Sequence, residues 1–433
     1  MRGEPELARA LADAGWTVSA ASEQPIVAAE AIRCARGLPP GGLLALAPVA
    51  GRDGSGRLAR LLSPRATTAA LIRRSRAAAA LATLARALQG DGLDVAWIET
   101  GDRSRRHRLQ LVDRPRALRR PILLASRGIP SPSSAERARA AAEEAAGVPL
   151  AVRGYRVLAG GTLLAELDAP AGRLLLRVAG GSGGRLLAHS EAARRALAAA
   201  APARVGDRLV TPIASGALAG ARWTLEPEVA GVPARRVGTA LHGDCLEFLV
   251  ALRTTPAASL PGAHNDAAAV QPHLAGRERA TLERVTRRLG ERLAHVARGW
   301  CHGDFWTANL LVRDGRLAWV LDWDAAASDG LPLLDLLHLM AYADRSLRRL
   351  PHGLRCTRVL WPLTAAGGDA GIREYCAATG TPDDAGTLEA LAVAYWLGRV
   401  ARDLRTFADR AHRPDWMAGN VHRPLATLEA QGW

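Results

Sequence analysis

The chain has 433 residues, 48% of them hydrophobic, with a formal net charge of +15. That length exceeds one ordinary domain, and the absence of an uninterrupted apolar run of roughly 18 residues argues against a membrane-spanning helix. All 57 basic residues are arginine, because the sequence has no lysine. They lie among alanines without interleaved aromatics or a nucleic-acid-binding motif, so the charge reads as a solvated surface and no nucleic-acid partner is expected.

In chain order, Met1 to Glu6 is acidic and lacks the basic-then-apolar order of a secretory signal, so a soluble cytoplasmic protein is expected. Gly42 to Ala47 and Leu93 to Ile98 read as short strands separated by a helix-prone stretch from Ala69 to Leu88. A small α/β domain over residues 1–130 follows from that pattern. Its Leu38-Pro39-Pro40-Gly41-Gly42-Leu43 turn weakly resembles a late turn of class I methyltransferases, without the glycine-rich cofactor loop, and its role is unknown. Gly51 to Gly56 reads as a flexible loop, since the P-loop lysine is missing. The breakers in Ser126 to Ser134 mark a linker, and Ser134 and Gly147 frame a helix, giving a linker-and-helix segment over 131–150.

From 151 to 230 the short apolar runs Tyr155 to Leu158, Leu163 to Leu167, Arg173 to Ala179, Arg208 to Ile213 and Arg222 to Leu225 predict an antiparallel sheet. From 231 to 433 helical spacing dominates. Examples are Leu282, Val285, Leu289, Leu293 and Val296, and later Leu388, Leu391, Trp396, Leu397, Val400 and Leu404. The fold class expected is α+β: a small antiparallel β lobe and a larger helical lobe in protein-kinase-like order, preceded by the α/β domain. The cysteines Cys34, Cys245, Cys301, Cys356 and Cys376 are scattered without close pairs and read as reduced thiols.

The densest chemistry lies in Cys301-His302-Gly303-Asp304-Phe305-Trp306-Thr307-Ala308-Asn309, continued by Leu310 to Val312 and Leu317 to Trp323. Asp304 and Asn309 have the spacing with which kinases set a catalytic carboxylate and a metal-binding amide. Asp314-Gly315 between two apolar runs signals a hairpin. Folding about it sets Asn309 opposite Val320, so Asp322 emerges beside Asn309 and both can reach one hard cation, a Mg²⁺ site. A second His-Gly-Asp, His242 to Asp244, has Leu249 where Asn is needed and lies on a helical pattern, so no chemistry is expected there.

His302-Gly303-Asp304 with Asn309, Leu321-Asp322-Trp323, Gly330-Leu331-Pro332 and Asp335-Leu336 resembles the signature of the aminoglycoside phosphotransferase and choline kinase family, over about residues 150–430. The resemblance implies that Asp304 orients the acceptor hydroxyl and takes its proton, and that Asn309 and Asp322 hold Mg²⁺ on the nucleotide phosphates. It also implies that His302 braces the catalytic loop and Asp335 anchors it by hydrogen bonding. Asp324 reads either as a supporting group or as a solvated carboxylate.

For the nucleotide, Gly160 and Gly161 fall in a turn between the first two strands, which either brings backbone N–H groups to the phosphates or is a plain hairpin. Arg177 stands where kinases carry the phosphate-pairing lysine, and Glu191, opening the next helix, stands where its acidic partner belongs. Gly180 to Gly184 reads as a strand-to-helix linker. Trp223 to Pro227 resembles the hinge that meets the adenine edge, which adds Glu226 to the nucleotide-binding set. Together these readings point to transfer of the γ-phosphoryl of ATP, with Mg²⁺, to a hydroxyl of a sugar, an amino alcohol or an antibiotic-like acceptor. The acids Asp344, Asp383, Asp384, Asp403 and Asp409 share the acceptor region with as many arginines, which disfavours a polycationic acceptor. The missing lysine and the extra domain motivate the rival reading, a nucleotide-binding pseudokinase or scaffold without turnover.

Overall fold

The computed structural model of the chain describes residues 43–46, 94–100, 109–112, 121–126, 132–157, 162–218, 221–258, 260, 266–343 and 347–433. The Ala69 to Leu88 helix, the Gly51 to Gly56 loop, the Gly160-Gly161 turn, Cys34 and Asp344 lie outside the described residues. Two compact units are present, one of Met1–Ala188 with Pro212–Glu228 and one of His189–Thr211 with Val229–Trp433. Among the described residues no helix is long and apolar enough to cross a membrane.

In the first unit, β1 (Leu43–Leu46), β2 (Asp94–Thr100), β3 (Leu109–Val112) and β4 (Pro121–Ser126) form an antiparallel sheet in the order β1-β4-β2-β3. Helix α1 (Pro132–Ala146) follows. It begins two residues before the expected cap Ser134, because proline's fixed φ suits the first helical turn. Gly147, at φ +68, ends it. A second antiparallel sheet runs in the order β5-β6-β7-β9-β8. Its strands are β5 (Ala151–Val157), β6 (Leu163–Ala169), β7 (Gly172–Gly180), β8 (Ala214–Leu218) and β9 (Ala221–Pro227). Ala138 and Ala142 of α1 join Leu163, Leu167, Leu176, Val178, Trp223 and Leu225 in one apolar cluster, so small residues on the helix let it lie close on the sheet.

Two expectations change here. Arg208 to Ile213 is not a strand. Pro212 has no N–H for a ladder, and Leu209 makes only an isolated bridge to Val320. Nor is Gly180 to Gly184 a linker, since β7 ends at Gly180 and helix α2 (Gly181–Ala200) starts at once. A Cβ on Gly184 would stand 2.9 Å from the Ala179 carbonyl oxygen, which is why the abrupt corner needs glycine.

The second unit is mainly helical. Its principal helices are α3 (Thr239–Arg253), α4 (Gly276–Leu293), α5 (Leu334–Ala343) and α6 (Ala385–Thr406). Among them run β10 (Val232–Pro233), β11 (Gly299–Cys301), β12 (Leu310–Arg313), β13 (Arg316–Val320) and β14 (Ala327–Gly330). The core cluster includes the apolar stripes read for α4 and α6. Phe248 of α3 stacks on Phe305 at 5.6 Å, which sets the residues after β11 on the helical core.

The β12–β13 hairpin turns through Asp314 and Gly315, both at positive φ, as a type I′ turn requires. Its register shifts by one at Ala318. Leu310 pairs with Val320, and the N–H of Leu321 donates to the carbonyl of Asn309 at 2.8 Å. Asn309 therefore faces Leu321 and not Val320; the extra residue of a bulge accounts for the difference. Asp322 still follows directly.

The second His-Gly-Asp lies on α3, as expected, but Asp244 is not idle. Its buried carboxylate accepts the Leu317 N–H at 2.9 Å and both Nε and Nη2 of Arg316, at 2.9 and 2.5 Å. This ties the hairpin to the helix. Asp244→Ala should lower unfolding free energy by about 1–3 kcal/mol, since it strands a buried N–H. Arg316→Ala, at a side chain 67% exposed, should cost less than about 1 kcal/mol. Urea midpoints of the full chain check both.

Candidate active site

The loop after β11 is held by backbone donors. Asp335, near the start of α5, accepts the N–H of His302 at 2.6 Å and of Gly303 at 2.8 Å. Gly303 has φ +75, and a Cβ there would meet the Ala325 carbonyl oxygen at 2.2 Å, so both conformation and space demand glycine. His302 is fully buried. Its Nδ1 accepts the Asp304 N–H at 3.2 Å, which leaves the proton on Nε2 to be donated to the Leu321 carbonyl at 2.9 Å. One imidazole thus joins the loop to the end of the hairpin. Its ring also packs on Trp323, 4.5 Å between centroids.

Asp304 and Asn309 meet on this frame, and Asp322 follows the residue that pairs with Asn309. The side-chain N–H₂ of Asn309 donates to the Asp304 carbonyl and to its Oδ2, each at 3.0 Å. That leaves Asn309 Oδ1 as the amide's oxygen donor to a cation. Asp322, at φ +66, adjoins Asn309 through the Leu321 hydrogen bond. Both side chains carry oxygens of the kind a hard cation takes.

The other oxygen of Asp304 is crowded by groups the sequence reading missed. Arg399 Nη1 donates to Oδ1 at 2.7 Å, Arg402 Nη1 stands 3.5 Å away, and His338 Nε2 stands at 3.2 Å, short of full hydrogen-bond alignment. Burial alone would raise the Asp304 pKa, but the His338 N–H and the charges of Arg402 and Arg399 outweigh it and hold the carboxyl well below its ordinary range. His338 Nδ1 accepts from the Tyr395 hydroxyl at 2.7 Å, the ring proton being on the Nε2 that faces Asp304, and burial drives its pKa down to about 3, so it is neutral. His338 lies three residues after Asp335 on α5, and Arg399 and Arg402 share one face of α6.

Asp324 is a supporting group and not a freely solvated one. It accepts from Arg402 Nη2 at 3.0 Å, and burial, followed by the adjacent charge of Asp322, pushes its pKa up to about 6. Thr307, inside the loop, accepts from Arg348 Nη2 at 2.7 Å.

The nucleotide set divides between the two units. In the first, Arg177 on β7 has its Nε 3.7 Å from Glu226 Oε2, and that buried Nε makes no hydrogen bond. Glu226 on β9 also accepts from Thr224 Oγ1 at 3.0 Å, so its side chain is committed inside the sheet. Glu191 belongs to the second unit and pairs with Arg195 at 2.7 Å. It sits mid-helix and does not open α2, because the helix begins ten residues earlier at Gly181. Gly160 and Gly161 fall outside the described residues.

The profile described as the phosphotransferase enzyme family matches residues 154–358. No curated protein matches the chain. Among solved structures, a candidate aminoglycoside phosphotransferase of Ralstonia eutropha JMP134 is similar at 17% identity, covering 65% of this chain and 91% of that one, with a TM-score of 0.44. Aminoglycoside phosphotransferase APH(3'')-Id of Streptomyces rimosus ATCC10970, in complex with ADP and streptomycin, is similar at 17% identity over 61% of this chain and 98% of its own, TM-score 0.37. Macrolide 2'-phosphotransferase MphH of Brachybacterium faecium is similar at 19% identity over 66% and 98%, TM-score 0.41.

The constraint at Gly303 can be separated into its parts. Gly380→Ala, at φ +66 with open space around it, should cost only the left-handed strain of about 1–2 kcal/mol. Gly303→Ala carries the same strain plus a backbone clash and should cost clearly more, read as a larger drop in urea midpoint.

Proposed function

We propose, on the match of residues 154–358 to the phosphotransferase enzyme family, that this chain moves the γ-phosphoryl group of ATP to a hydroxyl of a small molecule. The observation that carries the reading is the hold of Asn309 on one oxygen of Asp304, with Asp322 next to the Leu321 whose N–H bonds to Asn309. Phosphoryl transfer asks mainly for positioning and charge neutralisation. A carboxylate kept ionised by His338, Arg402 and Arg399 suits that task, because it accepts a hydrogen bond from the acceptor hydroxyl and so aims the attacking oxygen. His302 positions Asp304 from behind and takes no proton.

Asn309 Oδ1 and the Asp322 carboxylate would hold Mg²⁺, which when bound neutralises charge on the phosphates. The mutual repulsion of Asp322 and Asp324 is what a divalent ion would relieve. Arg177 would steady the α and β phosphates. Its Nε has no hydrogen bond to give up, and its planar fork can grip phosphate at two points where lysine would offer one charge. Glu226 orients Arg177 in this reading. A protein that only held nucleotide would have no use for so many groups fixing Asp304.

Asp304→Asn should lower turnover by about 10²–10⁴-fold with nucleotide affinity within about twofold, measured as ATP consumption and by direct titration of a nonhydrolysable ATP analogue against a panel of hydroxylated metabolites and antibiotics. Analogue binding without Asp304-dependent turnover across the panel would move the assignment to a pseudokinase. Asn309→Ala should instead raise the Mg²⁺ concentration needed for half-maximal turnover by about 10-fold or more. An unchanged Mg²⁺ dependence would remove Asn309 from the cation site.

A further inference from the structure

The charges gathered around Asp304 do not balance. Arg399 is taken up by Asp304, and Arg402 by Asp324 and the Gly303 carbonyl. Arg355, at the end of the short helix His352–Arg355, is only 6% exposed. Its Nε and Nη1 are buried without a hydrogen-bond partner. Among the described residues it forms no ion pair, and its one specific contact is the stack of its guanidinium on the Tyr342 ring, at 3.9 Å. The histidines nearby add no counter-charge. Burial, then the charges of Arg399 and Arg355, keep His352 well below its ordinary pKa, and His338 is neutral too.

A buried guanidinium with unmade hydrogen bonds is strongly unfavourable unless something pairs with it. Its location says what that could be. The Tyr342 ring that carries Arg355 lies 5.2 Å from Trp306 of the catalytic loop and 4.6 Å from His338, which faces Asp304. Arg355 is therefore one aromatic side chain away from the loop that runs from Asp304 to Asn309. The chain continues from it as a π-helical turn, Cys356–Leu360, a distortion often found at functional sites.

We propose that Arg355 binds an anionic group of the acceptor, a carboxylate or a phosphate, so that the preferred substrates are hydroxylated acids or hydroxylated phosphate esters. This rests on the phosphotransferase reading and narrows it. The acceptor oxygen forms a bond to the γ-phosphorus, the bond from that phosphorus to the β–γ bridging oxygen breaks, ADP leaves and the hydroxyl proton passes to Asp304. The anchored anion takes no covalent part. It holds the acceptor at Arg355, behind the Tyr342 ring that packs on Trp306 of the catalytic loop.

The test uses series of related hydroxylated acceptors with and without an anionic group: glycerol against D-glycerate and glycerol 3-phosphate, glucose against gluconate and glucose 6-phosphate, and ethanolamine against serine. Binding is measured by calorimetry on the full chain, saturated with Mg²⁺ and a nonhydrolysable ATP analogue so that the nucleotide site takes no free anion, and transfer is measured separately with ATP. In at least one series the anionic member should bind roughly 10-fold to 100-fold tighter than its uncharged or cationic counterpart, the range of a charge-assisted hydrogen bond. Arg355→Gln should remove that advantage through KM while binding of the uncharged member stays within about twofold, and Arg355→Lys should restore part of it. Equal or better binding of the uncharged and cationic members by the wild-type chain would overturn the proposal, and that comparison stands even if Arg355→Gln does not fold. Equal weakening of all members by Arg355→Gln would overturn it as well. Arg355-dependent binding of an anionic member, with no phosphoryl transfer to any member, would keep the anion site and overturn the phosphotransferase reading instead.

Discussion

The carboxylate of Asp335 is the fixed point on which the candidate site depends. It is 7% exposed, and burial raises its pKa, yet it takes two backbone N–H groups from consecutive residues, His302 and Gly303. Consecutive N–H groups can converge on one carboxylate only where the chain turns sharply, and the positive φ of Gly303 supplies that turn. Once the turn is set, Asp304 must leave it in the direction of Asn309, and the His302 ring is left to bridge the loop to Leu321. The groups proposed to do chemistry thus inherit their positions from one that does none.

The hairpin is the second element that has to be right, and it is held from two sides. Asn309 and Leu321 pair at its open end, while Asp244 on α3 grips Arg316 and Leu317 near its turn. A one-residue slip would carry Asp322 to the opposite face of the strand. The bulge at Ala318 sets the register that places Asp322 after Leu321, and the buried Asp244 pins that register.

How much of this was legible follows from how local each signal is. Asp304, Asn309 and the Asp314-Gly315 turn lie within a few residues of one another, so spacing and turn chemistry sufficed to bring Asp322 beside Asn309. The one-residue error in the pairing came from a bulge, which no hydrophobic pattern announces. Helix α6 was read from its apolar stripe, but its Arg399 and Arg402 reach a loop nearly a hundred residues earlier in the chain. Nothing local marks an arginine on the polar side of a helix as a partner for a distant carboxylate. Asp244 was passed over for a related reason: a motif judged by the company it lacks in sequence gained its partners in space. Arg208 to Ile213, with apolar content enough for a strand, failed as one because Pro212 and the bridge from Leu209 commit it elsewhere.

The absence of lysine shapes the site as much as it shapes the composition. Arg402 reaches the Gly303 carbonyl with one nitrogen and Asp324 with the other. Arg316 closes on Asp244 through Nε and Nη2, and Arg194 joins the carbonyls of Ser190 and Val210. Each of these is a bridge between two acceptors held in fixed geometry, which a planar fork makes at little further entropic cost and a single ammonium makes poorly. A guanidinium also keeps its charge on burial, where a lysine would shed its proton. Arg399 and Arg402 in this way fix permanent positive charge beside Asp304. Where the acceptors run out, as at Arg355, the charge persists without a partner among the described residues, and the anion proposed for the acceptor is what would meet it.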